Sequence, residues 1–127
     1  MTVNLNHTIV SARDKQASAK FLADILGLQV SPQFGPFTPV EIPNGVTLDY
    51  METADAITSQ HYAFLVSEED FDVIFARIKD AGLTYWADPA HNRPGEINTN
   101  DGGRGTYFED PNGHNLEILT RPYGSGS

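Results

Sequence analysis

The chain has 127 residues and a mass of 13.9 kDa, enough for one domain that buries roughly two thirds of its unfolded surface. Its formal charge is −9 with a pI near 4.6, and no basic run interrupts it, which disfavours a phosphate backbone and excludes nucleic acid as a partner. There is no cysteine, so disulfides, thiolate metal sites and cysteine nucleophiles are excluded, and any metal must be held by imidazole and oxygen.

No stretch approaches the ~18 apolar residues of a membrane span, and no basic segment leads into an apolar one at the N-terminus. The expected location is the cytoplasm, with no membrane partner. Residues 3–10 alternate as a strand, with His7 and Ile9 on one face, read as the core face, and Thr8 and Val10 on the other. A helix follows from a cap at Ser11 or Asp14, carrying Ala17, Phe21, Leu22, Ile25 and Leu26 on one stripe until Gly27 stops it. Residues 28–34 and 37–42 read as short strands edged by Pro32, Pro36 and Pro39, and an Asn44-Gly45 turn leads into a fourth strand at 46–51.

A polar stretch, 52–60, separates this from a second run of elements. Residues 61–66 are almost all apolar, which predicts a strand buried on both faces. Ser67 and the acids behind it form a capping-box-like start, and Phe71, Ile74, Phe75 and Ile78 carry the helical period up to Gly82. Residues 83–87 predict a strand, and 88–103 a long loop rich in proline, glycine and asparagine, of the kind used as lids or binding loops. Tyr107-Phe108 then runs through Asp110-Pro111-Asn112-Gly113 into Leu116-Glu117-Ile118-Leu119, a hairpin with a two-residue Asn-Gly turn. The last residues, Gly124-Ser125-Gly126-Ser127, read as a frayed tail.

The chain repeats itself. Pro43-Asn44-Gly45-Val46-Thr47-Leu48-Asp49-Tyr50 matches Pro111-Asn112-Gly113-His114-Asn115-Leu116-Glu117-Ile118, so Asp49 stands where Glu117 stands. Asn6-His7-Thr8-Ile9-Val10 is echoed by Gln60-His61-Tyr62-Ala63-Phe64. Each copy therefore runs from a histidine to a carboxylate. Glu117 lies inside an apolar strand, where a carboxylate without a partner costs several kcal/mol (order of magnitude), so it must be paired, hydrogen-bonded or bound to a metal. The order β-α-β-β-β twice predicts an α+β fold of two modules, about 1–54 and 60–122, in one domain spanning 1–127 with a flexible tail at 123–127.

These modules, the histidine that opens strands one and five, Leu26-Gly27-Leu28, and Tyr107-Phe108-x-Asp110-Pro111-x-Gly113-His114-x-Leu116-Glu117 resemble the vicinal oxygen chelate superfamily, the glyoxalase, bleomycin resistance protein and dioxygenase family. The resemblance implies a cupped mixed sheet around a central cavity, with metal ligands at His7, Asp49, His61 and Glu117. The metal would be Zn, Ni, Fe or Mn, since ligand type alone does not choose among them. It also implies a homodimer, in which modules combine within or between chains. Glyoxalase I has an arginine and an asparagine for glutathione where this chain has Ser11 and Thr53, which argues against glutathione. The loop Asn100-Asp101-Gly102-Gly103-Arg104-Gly105 lacks the serine of the fosfomycin enzymes.

Two functions follow from the resemblance. In the first, an enzyme of the glyoxalase type, a lyase, isomerase or resistance-type transferase, chelates two neighbouring oxygens of a small substrate and stabilises the oxyanion or enolate, with Glu117 and Asp49 as catalytic carboxylates. In the second, a binding protein sequesters an antibiotic or toxin without chemistry. The ligand set favours the enzyme. Asp49 is read as a direct ligand; if it is not, the two-histidine, one-carboxylate set that remains also suits iron and oxygen chemistry. Tyr85 and Phe108 are read as core or sheet surface. Trp86 and Tyr107 are assigned to substrate at the cavity mouth, and Arg104, in its glycine-rich setting, to an anionic substrate group. His91 and His114 are read as solvated surface.

Overall fold

The computed structural model describes residues 1–126; Ser127, the end of the expected tail, lies outside the described residues. Internal contacts divide the chain into two units, Met1–Thr58 and Ser59–Ser127. Among the described residues the fold is α+β, with two helices and two mixed sheets.

The first unit contains β1 (His7–Ala12), α1 (Lys15–Leu26), β2 (Thr38–Glu41) and β3 (Thr47–Glu52). Asp14 caps α1 by accepting from Ala17 N–H at 3.0 Å, and Gly27, at φ 76°, ends it in the left-handed conformation. The sheet order is β1-β3-β2, parallel between β1 and β3 and antiparallel between β3 and β2. The strand expected at 28–34 does not form: Val30 and Phe34 make only single bridges, to Val40 and Phe37. Pro32 and Pro36 have no N–H to donate, and Gly35 at φ 56° turns the chain back on itself between Phe34 and Phe37. The first strand also starts at His7, four residues later than expected.

The burial of β1 inverts the expected assignment of its faces. Val10 and Ala12 are buried, with Leu48 and Tyr50 of β3 and Leu22, Ala19 and Ala23 of α1, whereas Ile9 is half exposed and His7 exposed. His7 therefore lies on the face turned away from the helix-packed core. Residues paired in register share a face, so Thr47, Asp49 and Met51 lie on that open face with His7, Ile9 and Ser11.

The second unit contains β4 (His61–Leu65), α2 (Glu68–Asp80), β5 (Tyr85–Trp86), a 3₁₀ turn (Asn100–Gly102), β6 (Gly105–Glu109) and β7 (Asn115–Leu119). Ser67 caps α2 through Asp70 N–H at 3.0 Å, three acids fill the first turn, and Gly82 follows at φ 70°. Phe71, Ile74 and Ile78 are buried, each contributing roughly 1.5–3 kcal/mol of apolar burial. The sheet order is β4-β7-β6-β5, with β4 and β7 parallel and the rest antiparallel.

Burial along β4 alternates instead of covering both faces: His61, Ala63 and Leu65 are exposed, Tyr62 and Phe64 half-buried. The sheet thus has a core face, with Leu116, Ile118, Thr106 and Phe108, and an open face, with His61, Glu117, Tyr107 and Trp86. The strand expected at 83–87 contracts to Tyr85–Trp86.

The hairpin turn is longer than the expected two residues. Gly113 N–H donates to Asp110 O at 3.1 Å and Asp110 N–H to His114 O at 3.1 Å, with Pro111 second in the turn and Gly113 at φ 84°. The first unit repeats this: Gly45 N–H donates to Ile42 O at 2.9 Å, Ile42 N–H to Val46 O at 2.7 Å, and Gly45 has φ 95°. The second copy is also braced by a side chain, since Asp110 Oδ1 accepts from Asn112 and His114 N–H at 2.8 and 2.9 Å.

Candidate metal centre

Glu117 sits in β7, flanked by β4 and β6, and is 1% exposed. A carboxylate this buried needs charge-assisted or hydrogen-bonded partners. His61 Nε2 lies 3.0 Å from its Oε1, and the Tyr123 hydroxyl lies 2.6 Å from both carboxylate oxygens. Tyr107, the register partner of Glu117 on β6, puts its hydroxyl 2.8 Å from that of Tyr123 and stacks on His61 with ring centroids 5.7 Å apart.

The other nitrogen of the His61 ring, Nδ1, is 2.9 Å from the backbone carbonyl of Asn115, its register partner. A carbonyl only accepts, so Nδ1 carries the hydrogen. Nε2 then faces the Glu117 oxygen either with a second proton or with a lone pair. With a lone pair, nitrogen and carboxylate are two donors converging on one cation, and the carbonyl supplies the outer partner that metal-binding histidines use. The donor chemistry of His61 Nε2 and the Glu117 carboxylate is therefore compatible with a divalent metal.

Burial, first, and then the Glu117 carboxylate raise the pKa of Tyr123 above the ordinary phenol value; burial also raises that of Tyr107, opposed by its hydrogen bond with Tyr123. Both remain neutral hydroxyls beside Glu117. The tail expected to fray is engaged here. Ser125 N–H donates to Pro122 O at 3.1 Å, Gly124 has φ 76°, and Gly126 N–H donates to Asp101 Oδ1 at 3.3 Å.

Trp86 pairs with Tyr107 in register, on the same open face, and His91 stacks on its indole at 3.7 Å with the rings 4° from parallel. His91 is not solvated surface, as expected from its polar loop. Its Nε2 is 3.0 Å from Asn115 Oδ1, its Nδ1 3.5 Å from Glu109, and its backbone holds φ 62°. His114 is also a correction: it is 1% exposed, accepts from Gln60 N–H at Nδ1 and packs edge-on against Tyr62.

Arg104 does not join this group. Its guanidinium bonds Glu68 and Asp72 at 2.8 Å each and the Glu68 carbonyl at 3.0 Å, and lies over the Phe71 ring. These bonds hold the guanidinium on the α2 side.

In the first unit, Asp49 is the register partner of Ile9, two residues after His7, as Glu117 is of Ala63, two residues after His61. His7 Nδ1 lies 2.7 Å from the Asn6 side-chain oxygen. Among the described residues no ion pair joins His7 to Asp49, and no three His, Cys, Asp or Glu side chains are grouped to hold a metal. The structure thus brings together His61, Glu117 and Tyr107, with Trp86 beside them, and adds two groups not assigned to the site from sequence, Tyr123 and His91. Pro122-Tyr123-Gly124-Ser125 has the form of a proline-glycine turn, a signal that was present.

Residues 4–118 match the family model of the glyoxalase/bleomycin resistance protein/dioxygenase superfamily. The chain is 33% identical over 126 residues to glutathione transferase FosA of Serratia marcescens, covering 93% of this chain and 81% of that protein. It is 80% identical to a solved structure of oxidase ChaP-H2, covering 100% of both chains at a TM-score of 0.98. Oxidase ChaP-H1 is 63% identical, covering 97% of this chain and 99% of that one, at a TM-score of 0.94. No helix among the described residues is long and apolar enough to cross a membrane. Motif, fold and sequence agree: the chain belongs to the glyoxalase/bleomycin resistance protein/dioxygenase superfamily.

Proposed function

We propose that the protein is a metal-dependent oxidase that acts on a small molecule presenting two neighbouring oxygens. The observation that carries this is the pairing of His61 Nε2 with the buried Glu117 carboxylate at 3.0 Å, with Nδ1 anchored on a carbonyl. Full-length similarity to the ChaP-H2 oxidase supports oxidation over the lyase or isomerase chemistry that the glyoxalase resemblance suggests.

Two donors are half a site, and the superfamily resemblance makes the equivalent histidine of the first copy, His7, the candidate third ligand. With His7 added, two histidines and one carboxylate leave open positions suited to iron and oxygen. This set would hold a divalent metal whose chemistry, when bound, would be Lewis acidity towards two substrate oxygens and, for a redox-active ion, electron transfer to dioxygen. Asp49, one methylene shorter than Glu117, then serves as proton acceptor for a substrate hydroxyl. His61 is kept in one tautomer by Asn115, and Trp86, half-buried and stacked on His91, is the aromatic group beside it on the open face.

The test is reconstitution of metal-free protein with Fe²⁺, Mn²⁺, Ni²⁺ or Zn²⁺, followed by oxygen uptake with ortho-oxygenated aromatic compounds. Uptake with a redox-active metal, lost in His61→Ala, is expected. Turnover of such compounds without oxygen consumption would overturn the oxidase reading. Sedimentation in the same preparation is expected to give a homodimer.

A further inference from the structure

Tyr123 enters the site from the C-terminal segment, after the last strand. Its residue is 60% exposed, yet its hydroxyl reaches a carboxylate that is 1% exposed. Its segment is shaped by a turn across 122–125 with Gly124 at φ 76°, closed by Ser125 N–H on the Pro122 carbonyl, the arrangement of a type II turn with glycine third. Ser125 Oγ adds a bond to the same carbonyl at 2.6 Å, and Arg121 reaches the Ser125 carbonyl at 3.3 Å.

The hydroxyl chain has one direction. An ionised carboxylate only accepts, so the single proton of Tyr123 goes to Glu117; Tyr123 oxygen then accepts from Tyr107, 2.8 Å away. The chain runs Tyr107 to Tyr123 to Glu117, and each link polarises the next. Glu117 is thereby held by two neighbours, the His61 ring at Oε1 and the Tyr123 phenol at both oxygens.

We infer that Tyr123 is a positioning residue that fixes the Glu117 carboxylate facing His61 Nε2 and so sets the affinity of this half-site for its metal, with Tyr107 acting through Tyr123. This rests on the assignment of His61 and Glu117 as ligands. It gives the C-terminal segment a role in the site that neither strand nor hairpin supplies.

The test is competitive chelator titration with Zn²⁺ on the full chain, reading affinity and not activity. Tyr123→Phe, which keeps the ring, is expected to weaken Zn²⁺ binding about tenfold, as loss of a bond to a ligating carboxylate does. Tyr107→Phe is expected to weaken it less, and the double variant to match Tyr123→Phe alone, because the Tyr107 bond is felt only through Tyr123. A residue that merely supports the fold would give additive losses. Wild-type or tighter affinity in Tyr123→Phe, or full additivity with Tyr107→Phe, would overturn the inference. His61→Ala separates the two layers: if it binds Zn²⁺ like wild type, the ligand assignment fails; if it loses Zn²⁺ while Tyr123→Phe does not, only the role of Tyr123 fails.

Discussion

The two halves of the chain use one plan to different ends. Both place a histidine at the start of a strand and a carboxylate on its parallel neighbour, opposite the residue two beyond the histidine. Both enter the carboxylate strand through a proline-asparagine-glycine turn closed by the same two backbone bonds. In the second half the carboxylate is sunk to 1% exposure and bonded by His61 and Tyr123; in the first, Asp49 is half-buried and His7 turns to its neighbour Asn6. The repeat thus conserves where the groups stand on the sheet while letting one pair become an organised site. Aspartate is one methylene shorter than glutamate, which shortens its reach towards the histidine on the neighbouring strand.

The largest expected effect breaks the second pair. His61→Ala should weaken divalent metal binding by well over 100-fold, beyond what loss of an outer-sphere partner costs. The matched change in the first half, Asp49→Ala, should cost roughly 10- to 100-fold, the range for a residue that touches the metal indirectly. Chelator titration of both variants measures the difference. Equal losses would make Asp49 a direct ligand and erase the contrast between the halves.

Much of this plan was legible in the sequence. Caps at Asp14 and Ser67, glycine stops, and the paired histidine and carboxylate positions all follow from local chemistry, which the fold obeys. The faces of β1 were not legible, because alternation says that two faces differ and leaves open which one is covered. Residues 28–34 carry apolar residues but too many prolines to pair as a strand. His114 and His91 sit in polar sequence, and only the return of the chain from the Asp110 turn and the 88–103 loop buries one and stacks the other. Tyr123 was missed for the same reason: its partner Glu117 is a strand residue, and the turn that joins them lies in a segment of tail-like composition.

Smaller effects sharpen the equivalence of the turns. Gly45→Ala and Gly113→Ala each place a side chain at positive φ with open space around it, so strain is the whole cost, roughly 1–2 kcal/mol. Thermal unfolding should show similar losses of a few degrees from both, and a clear inequality would mean the two turns are not the same device.

The smallest expected effect concerns Glu68. Its carboxyl is held below the ordinary 4.5 by the Thr120 hydroxyl first and Arg104 next. A lowered folded-state pKa contributes stability above pH 4.5 that is lost as pH falls through the folded value. The difference in melting temperature between wild type and Glu68→Gln should be slight near neutrality, as befits an exposed pair, and should vanish in acid. A difference that grows on acidification would have the wrong sign.

The central claim, that the His61 and Glu117 pair holds a metal, is tested most directly by elemental analysis of untagged protein together with its melting temperature in chelator and in added metal. The expected result is about one divalent transition metal per chain, with a melting temperature lowered by chelator and restored by metal. Metal-free protein whose melting temperature ignores both treatments would contradict it.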